Sequence, residues 1–205
     1  MEPSPVMSDH LSREFWEVRW REGRTPWDLG GASAPARQLG QQYLVPPADV
    51  IIPGCGRGHE ALFLAEQGCR VTAVDFVAAP VVALRQAAAV RGLPVEALQS
   101  DIFDLPVALN GRFAAVLEQT CLAALGPTRF ADYEALAHRL LKPGGLLLGV
   151  FMELSGIQPP PFSCSREAMQ ALFAPPRWRL LQLQPVTPPQ PARPRPEYTA
   201  VFQKA

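Results

Sequence analysis

Five apolar, β-rich runs recur along the chain at intervals long enough for a helix: 49 to 53, 70 to 75, 95 to 99, 113 to 118 and 145 to 151. Between them, His59 to Gln67, Pro80 to Arg91 and Pro127 to Leu141 carry helical patterns. The last two open with a proline near the first turn, where its missing N–H costs nothing. Strands alternating with helices predict an α/β fold, a parallel sheet sandwiched between helices with right-handed crossovers. The tail changes character: Arg177 to Gln184 alternates as a strand, Pro185 to Pro196 is proline-rich, and Glu197 to Gln203 reads as a final strand. A hairpin is expected to close the sheet. There is no internal repeat, and the proline-rich loop is too short to link two domains. The 205 residues are therefore expected as one domain, with residues 1–11 disordered.

The first run ends at Pro53-Gly54-Cys55-Gly56-Arg57-Gly58, and the second ends on Asp75. Glycines after a strand let the backbone turn and approach a ligand closely, and a helix-length segment separates them from the next strand. A carboxylate about twenty residues beyond the first glycine can reach both hydroxyls of a ribose. This is the layout of an adenosine-binding βαβ unit. The spacing G-x-G-x-G differs from the G-x-G-x-x-G that sets a pyrophosphate on a helix N-terminus, which disfavours a dinucleotide. S-adenosylmethionine, which has no phosphate, needs only small residues under its methionine moiety and an acid for its ribose.

Charge and cysteines narrow the partners. Lys plus Arg equals Asp plus Glu at 19 each, so no positive excess awaits nucleic acid or an anionic membrane, and a small-molecule partner is expected. The polar opening Met1 to Pro5 has no apolar signal core, and no later run approaches the ~20 apolar residues of a membrane span, so the cytoplasm is the expected location. Cys55, Cys69, Cys121 and Cys164 show neither C-x-x-C nor zinc-ligand spacing with histidine, so they are read as reduced thiols and no metal is expected. His59 and His138 lie on predicted helices and are expected to be surface or capping residues rather than bases.

Two further segments fall at the carboxyl edge of the sheet, where open α/β sheets bind ligands. Asp101, in Ser100-Asp101-Ile102-Phe103, could accept from an adenine amino group with Ile102 on the ring face, or could simply cap a turn. Glu118-Gln119-Thr120 ends the fourth strand, where polar residues are costly unless partnered. Lys142-Pro143-Gly144-Gly145 is read as a helix stop and a turn into the fifth strand. At the other end of the chain, Trp16 and Trp20 share one helical face and Trp27 follows within residues 16–27. Three tryptophans outside the sheet suit a hydrophobic lid over residues 12–45, an aromatic wall around a sulfonium, or both.

The run Phe15-Trp16-x-x-Arg19-Trp20-x-x-Gly23-x-Thr25-Pro26-Trp27-Asp28 carries a family resemblance. With it go the glycine turn, Asp75, Asp101 to Leu105, Glu118-Gln119-Thr120, Leu141 to Gly145 and Pro159 to Phe162. Together they resemble the thiopurine S-methyltransferase family, most nearly its plant thiol and halide methyltransferase branch with bacterial relatives. The likeness runs from about Phe15 onward. It implies a class I methyltransferase fold: a three-layer, Rossmann-like α/β sheet, mostly parallel, with an antiparallel last strand. It also implies S-adenosylmethionine as methyl donor, contacted by Trp16, Trp20, Trp27, Gly54, Asp75, Asp101, Ile102 and Gln119.

The expected reaction is in-line transfer of a methyl group to a small soft nucleophile such as a thiol or thiopurine, with proximity and alignment as the protein's main contribution and no nucleophilic residue of its own. An S-adenosylmethionine-binding protein without turnover, and a halide or chalcogen-oxyanion methyltransferase, remain as alternatives. The chain departs from the plant-like pattern after Thr120, where Cys121 and Leu122 replace two phenylalanines. The acceptor pocket is expected between Cys121, Leu122, Phe151 and Phe162, roomier than a halide site.

Overall fold

The computed structural model describes residues 12–190 and 195–205. The expectation of disorder for residues 1–11, and the centre of the proline-rich loop, residues 191–194, lie outside the described residues. Among the described residues, seven strands form one sheet: β1 (Asp49–Pro53), β2 (Arg70–Asp75), β3 (Val95–Gln99), β4 (Phe113–Gln119), β5 (Leu141–Met152), β6 (Trp178–Pro185) and β7 (Glu197–Lys204), in the order β3-β2-β1-β4-β5-β7-β6. β1 to β5 pair in parallel, and β7 is antiparallel to both β5 and β6. The three-layer arrangement with an antiparallel last strand is the expected fold.

Burial explains which strands sit inside. Val50, Ile51 and Ile52 of β1 are all buried, as a central parallel strand covered on both faces requires. Alternation then splits the core into two layers. Val50 and Ile52 join the layer of Leu39, Leu64 and Leu84, whereas Ile51 joins that of Tyr133, Leu136 and Phe173 on the opposite face. The chain leaves β1 toward β2 and β3, then returns to β4 on the other flank of β1. Such a reversal opens a crevice beyond the carboxyl ends of β1 and β4.

Seven α-helices accompany the strands among the described residues: α1 (Arg13–Arg21), α2 (Ala34–Tyr43), α3 (His59–Glu66), α4 (Ala78–Val90), α5 (Cys121–Leu125), α6 (Phe130–Leu140) and α7 (Arg166–Leu172). α1, α2 and α7 start at serines whose hydroxyls accept a first-turn amide, at Ser12, Ser33 and Ser165. The periodic pattern did not reveal α2, α5 or α7. α5 and α7 are too short to display a period, and α2 is rich in glutamine, with Gly40 where the partner comes close. A Cβ on Gly40 would lie 2.6 Å from the Leu64 side chain. The helix expected from Pro127 begins instead at Phe130, after a short 3₁₀ turn over Pro127–Arg129.

The helix expected to stop at Lys142 to Gly145 does end, at Leu140, and these residues interrupt the pairing within β5 rather than preceding the strand. Leu141 already pairs with Phe113, and regular pairing resumes only at Leu146 opposite Ala115. The closing hairpin is present, with β7 in the interior position and β6 on the edge; accordingly β7 is buried from Glu197 to Phe202 whereas β6 is largely exposed.

Fully buried Tyr198 on β7 fastens the segment after β5: its hydroxyl donates to Cys164 O at 2.8 Å. Tyr198→Phe should destabilise the protein by roughly 1 to 3 kcal/mol, since a buried carbonyl loses its donor. Urea unfolding should show a lower midpoint at unchanged slope; an unchanged midpoint would contradict this role.

Candidate functional site

The turn after β1 is set by backbone geometry. Gly54 has φ +60°, and a Cβ there would lie 2.8 Å from Cys121 Sγ, so only glycine lets this turn rest against the first residue of α5. Beside it, Asp75 ends β2 with 8% of its surface exposed. Its Oδ2 accepts from Gly56 N at 2.9 Å and its Oδ1 from Val77 N at 3.0 Å. Burial raises the carboxyl pKa, and the backbone amides of Val77, Gly56 and Phe76 oppose that rise. One carboxylate is thus fixed at the mouth of the crevice.

Around it lies a cleft of about 450 Å³, within the range of small-ligand sites. Its floor is the glycine turn with Asp75 and Phe76, and its first side wall is Ser100 to Phe103. Asp101 Oδ1 accepts from Phe103 N at 2.9 Å, capping a short 3₁₀ turn over Ile102–Asp104. The turn-capping expectation therefore holds while Asp101 and Ile102 still border the cleft. The opposite wall is Gln119, Thr120 and Cys121. Gln119 Oε1 accepts from Ser33 Oγ at 2.9 Å, and Ser33 N donates to Glu60 Oε1 at 3.0 Å. This bond fixes which way the amide faces and leaves its NH2 for donation. Thr120 starts α5 with φ +64°, a left-handed conformation uncommon outside glycine and typical of functional sites.

The N-terminal segment supplies the roof. Trp16, Trp20 and Trp27 all line the cleft. Trp27 meets Trp16 and Trp20 edge-on, with centroids 5.2 Å and 5.9 Å apart. Only residues up to Gly31 border this cleft; beyond Ser33 the segment becomes α2, whose Pro35, Ala36 and Leu39 are buried in the core.

The far end of the cleft differs from the expected acceptor pocket. Cys121 borders it, but Leu122 is fully buried in the core layer of Phe130 and Tyr133. A helix turns successive side chains by about 100°, so the unforeseen α5 sends these two neighbours in different directions. Phe151 lies against Tyr198 at 5.4 Å between centroids, while Met152, its neighbour on the alternating strand, faces the cleft. Phe162 packs its ring on Gly126, where a Cβ would meet it at 3.0 Å, and only its neighbours Pro160 and Pro161 reach the cleft. The end wall is instead Ala124, Leu125, Met152, Pro160 and Pro161, with Arg129 stacked on Phe103 at 3.9 Å.

Glu118 is fully buried below this wall. Its Oε1 accepts from Leu122 N at 3.0 Å, holding the first turn of α5. Burial pushes its carboxyl up to about 7, although the Tyr133 hydroxyl and the Leu122 and Cys121 amides favour the ionised form. Burial likewise drives the Cys55 and Cys121 thiols well above the usual range.

A sequence model described as thiopurine S-methyltransferase matches residues 11–195 of this chain. The chain is 26% identical over 183 residues to a thiopurine S-methyltransferase of Bordetella petrii, covering 80% of this chain and 82% of that protein. It is 28% identical over 177 residues to a probable thiol methyltransferase 2 of Arabidopsis thaliana, covering 83% and 75%. Its fold matches the Burkholderia thailandensis 1,6-didemethyltoxoflavin-N1-methyltransferase, solved with bound 1,6-didemethyltoxoflavin and S-adenosylhomocysteine. The TM-score is 0.83 at 24% identity, covering 100% of this chain and 92% of that one.

The raised pKa of Glu118 predicts a pH-dependent stability. Below about 4.5 the carboxyl is protonated in both folded and unfolded chains and carries no penalty. As pH rises to about 7 the unfolded chain ionises first, so stability falls over this window and stays lower above it. Glu118→Gln should be isostable with the parent near pH 4.5 and more stable at pH 8 by up to about 3 kcal/mol in urea unfolding. Parallel stability curves for the two proteins would contradict the assignment.

Proposed function

This chain belongs to the thiopurine S-methyltransferase family and is an S-adenosylmethionine-dependent methyltransferase, and we propose that it methylates small thiols in the cleft beyond β1 and β4. The observation that carries the placement is Asp75, a buried carboxylate aimed by two backbone amides beneath three tryptophans. The residues fit the cofactor. Asp75 suits the ribose hydroxyls, Ile102 with Asp101 suits adenine, and the close turn at Gly54 suits the methionine chain. Indole rings suit a sulfonium, a contact worth roughly 0.5 to 2 kcal/mol. Gln119, oriented by Ser33, presents an amide donor to the same ligand.

When bound, S-adenosylmethionine supplies a methyl group already activated by the positive sulfur. The protein's contribution is alignment: the aromatic roof and glycine floor hold the donor, and the end wall at Ala124, Leu125, Met152 and the prolines orients the incoming sulfur. An acidic thiol arrives as its thiolate and needs no base from the chain. Cys55 and Cys121 also border the cleft, yet burial keeps both protonated, so they do not compete for the methyl group. Apart from Arg129 and Arg195, which also border the cleft, the end wall is apolar, and that surface suits the carbon framework of a thiol better than a bare halide. Four cysteines without a disulfide suit a reducing, cytoplasmic setting.

Two measurements test this reading. With methyl-labelled S-adenosylmethionine, aromatic and aliphatic thiols should turn over faster than iodide, thiocyanate or tellurite. Faster methylation of iodide than of every thiol would overturn the acceptor, and cofactor binding without any transfer would make the chain a binding protein. In calorimetry, Asp75→Ala should weaken S-adenosylhomocysteine by roughly 1.5 to 3 kcal/mol with unchanged circular dichroism. Equal affinity would remove Asp75 from the ribose.

A further inference from the structure

Resting on the cofactor assignment above, we infer that Asp28 is a positioning residue, the fastener that holds the tryptophan roof against the glycine floor. α1 carries no buried residue, so its place over the cleft does not come from the core. Gly23 and Gly30, which flank the Arg24 to Leu29 stretch, have positive φ and open space where a Cβ would lie, so they add no packing contact with the rest of the fold. Two ionic contacts between this segment and the floor meet on Asp28, the residue after Trp27, and Arg13 adds a contact with the Phe76 ring at 5.8 Å. The Asp28 side chain is 15% exposed, its Oδ2 accepts from Arg57 Nε at 2.5 Å, and its Oδ1 lies 2.9 Å from His59 Nε2. Oδ1 also accepts from Gly30 N at 2.9 Å, which shapes the loop itself.

Arg57 and His59 flank Gly58, where the glycine turn enters α3. Asp28 therefore joins the roof to the floor and to the helix behind it. The circuit closes through rings: the Arg57 guanidinium lies 5.1 Å from the Trp20 centroid, and Trp20 packs edge-on against Trp27. Asp28 ties together three groups of the chain, Gly30 N, the His59 ring and the Arg57 guanidinium, and its part in the site is to place Trp20 and Trp27. Burial alone would raise its carboxyl, but the bonds from Gly30, His59 and Arg57 outweigh that and hold it below the usual range. The same cluster gives His59 a partner that sequence reading did not foresee.

The test uses the isosteric Asp28→Asn, which keeps the side chain's shape and removes its charge, together with Arg57→Gln and the double variant. Asp28→Asn should raise the KM for S-adenosylmethionine and the Kd for S-adenosylhomocysteine about tenfold or more, as expected for losing charge-assisted bonds. At saturating cofactor, kcat should stay within about threefold and the thiol KM within about twofold, since the variant alters uniform binding rather than the reacting geometry. Acrylamide should quench the ligand-free tryptophans more strongly in the variant, with buried Trp178 as the constant background. The double variant should be little worse than either single one, because both break the same circuit. Unchanged cofactor affinity in Asp28→Asn, a loss confined to kcat, or additive losses in the double variant would each overturn the inference. If the parent protein itself does not bind S-adenosylhomocysteine, it is the cofactor assignment that fails.

Discussion

The site depends on one constraint, a carboxylate held almost out of water at the end of a central parallel strand. Asp75 is tolerable there because Gly56 N and Val77 N satisfy it. Those amides belong to the turn after β1 and to the cap of α4, so one side chain sets the relative position of two adjacent strand ends. The turn in turn rests on Cys121, which begins α5, and α5 is held by Glu118 from below. Floor and end wall are thus ordered by two buried carboxylates, each matched to backbone amides at a strand-to-helix junction.

The roof is built on a different principle. Trp27 meets both Trp16 and Trp20 edge-on, and the helix that carries those two contributes nothing buried to the core. Aromatic contacts and the ion cluster at Asp28 replace core packing. A segment attached this way rests on fewer buried contacts than the sheet does.

What could be read from the residues follows the length of the signal. β1 and β2 are apolar runs ending at glycines or an acid, and their parallel βαβ arrangement and the ligand-binding edge at their carboxyl ends were legible. The residues assigned to the cofactor from the sequence all border that cleft: Gly54, Asp75, Asp101, Ile102 and Gln119 because they lie at or just beyond strand carboxyl ends, and Trp16, Trp20 and Trp27 through the motif that carries the family resemblance. The acceptor wall was not legible. Leu122 and Phe151 were placed by proximity in sequence, but the phase of the one-turn helix α5 and of the alternation in β5 decides which neighbour faces the cleft. Asp28 was equally hidden, since its partners Arg57 and His59 lie about thirty residues away and no local pattern joins them.

The account's central claim is that this cleft, floored by Asp75 and roofed by tryptophan, is where the donor sits. A crystal structure of the protein with S-adenosylhomocysteine tests it most directly. The account predicts both ribose hydroxyls within about 3 Å of the Asp75 carboxylate, adenine on Ile102, and the thioether sulfur between the indole rings and Cys121. A ligand bound elsewhere, as in the second cavity between α2 and the β6–β7 hairpin, or one whose ribose leaves Asp75 untouched, would contradict it.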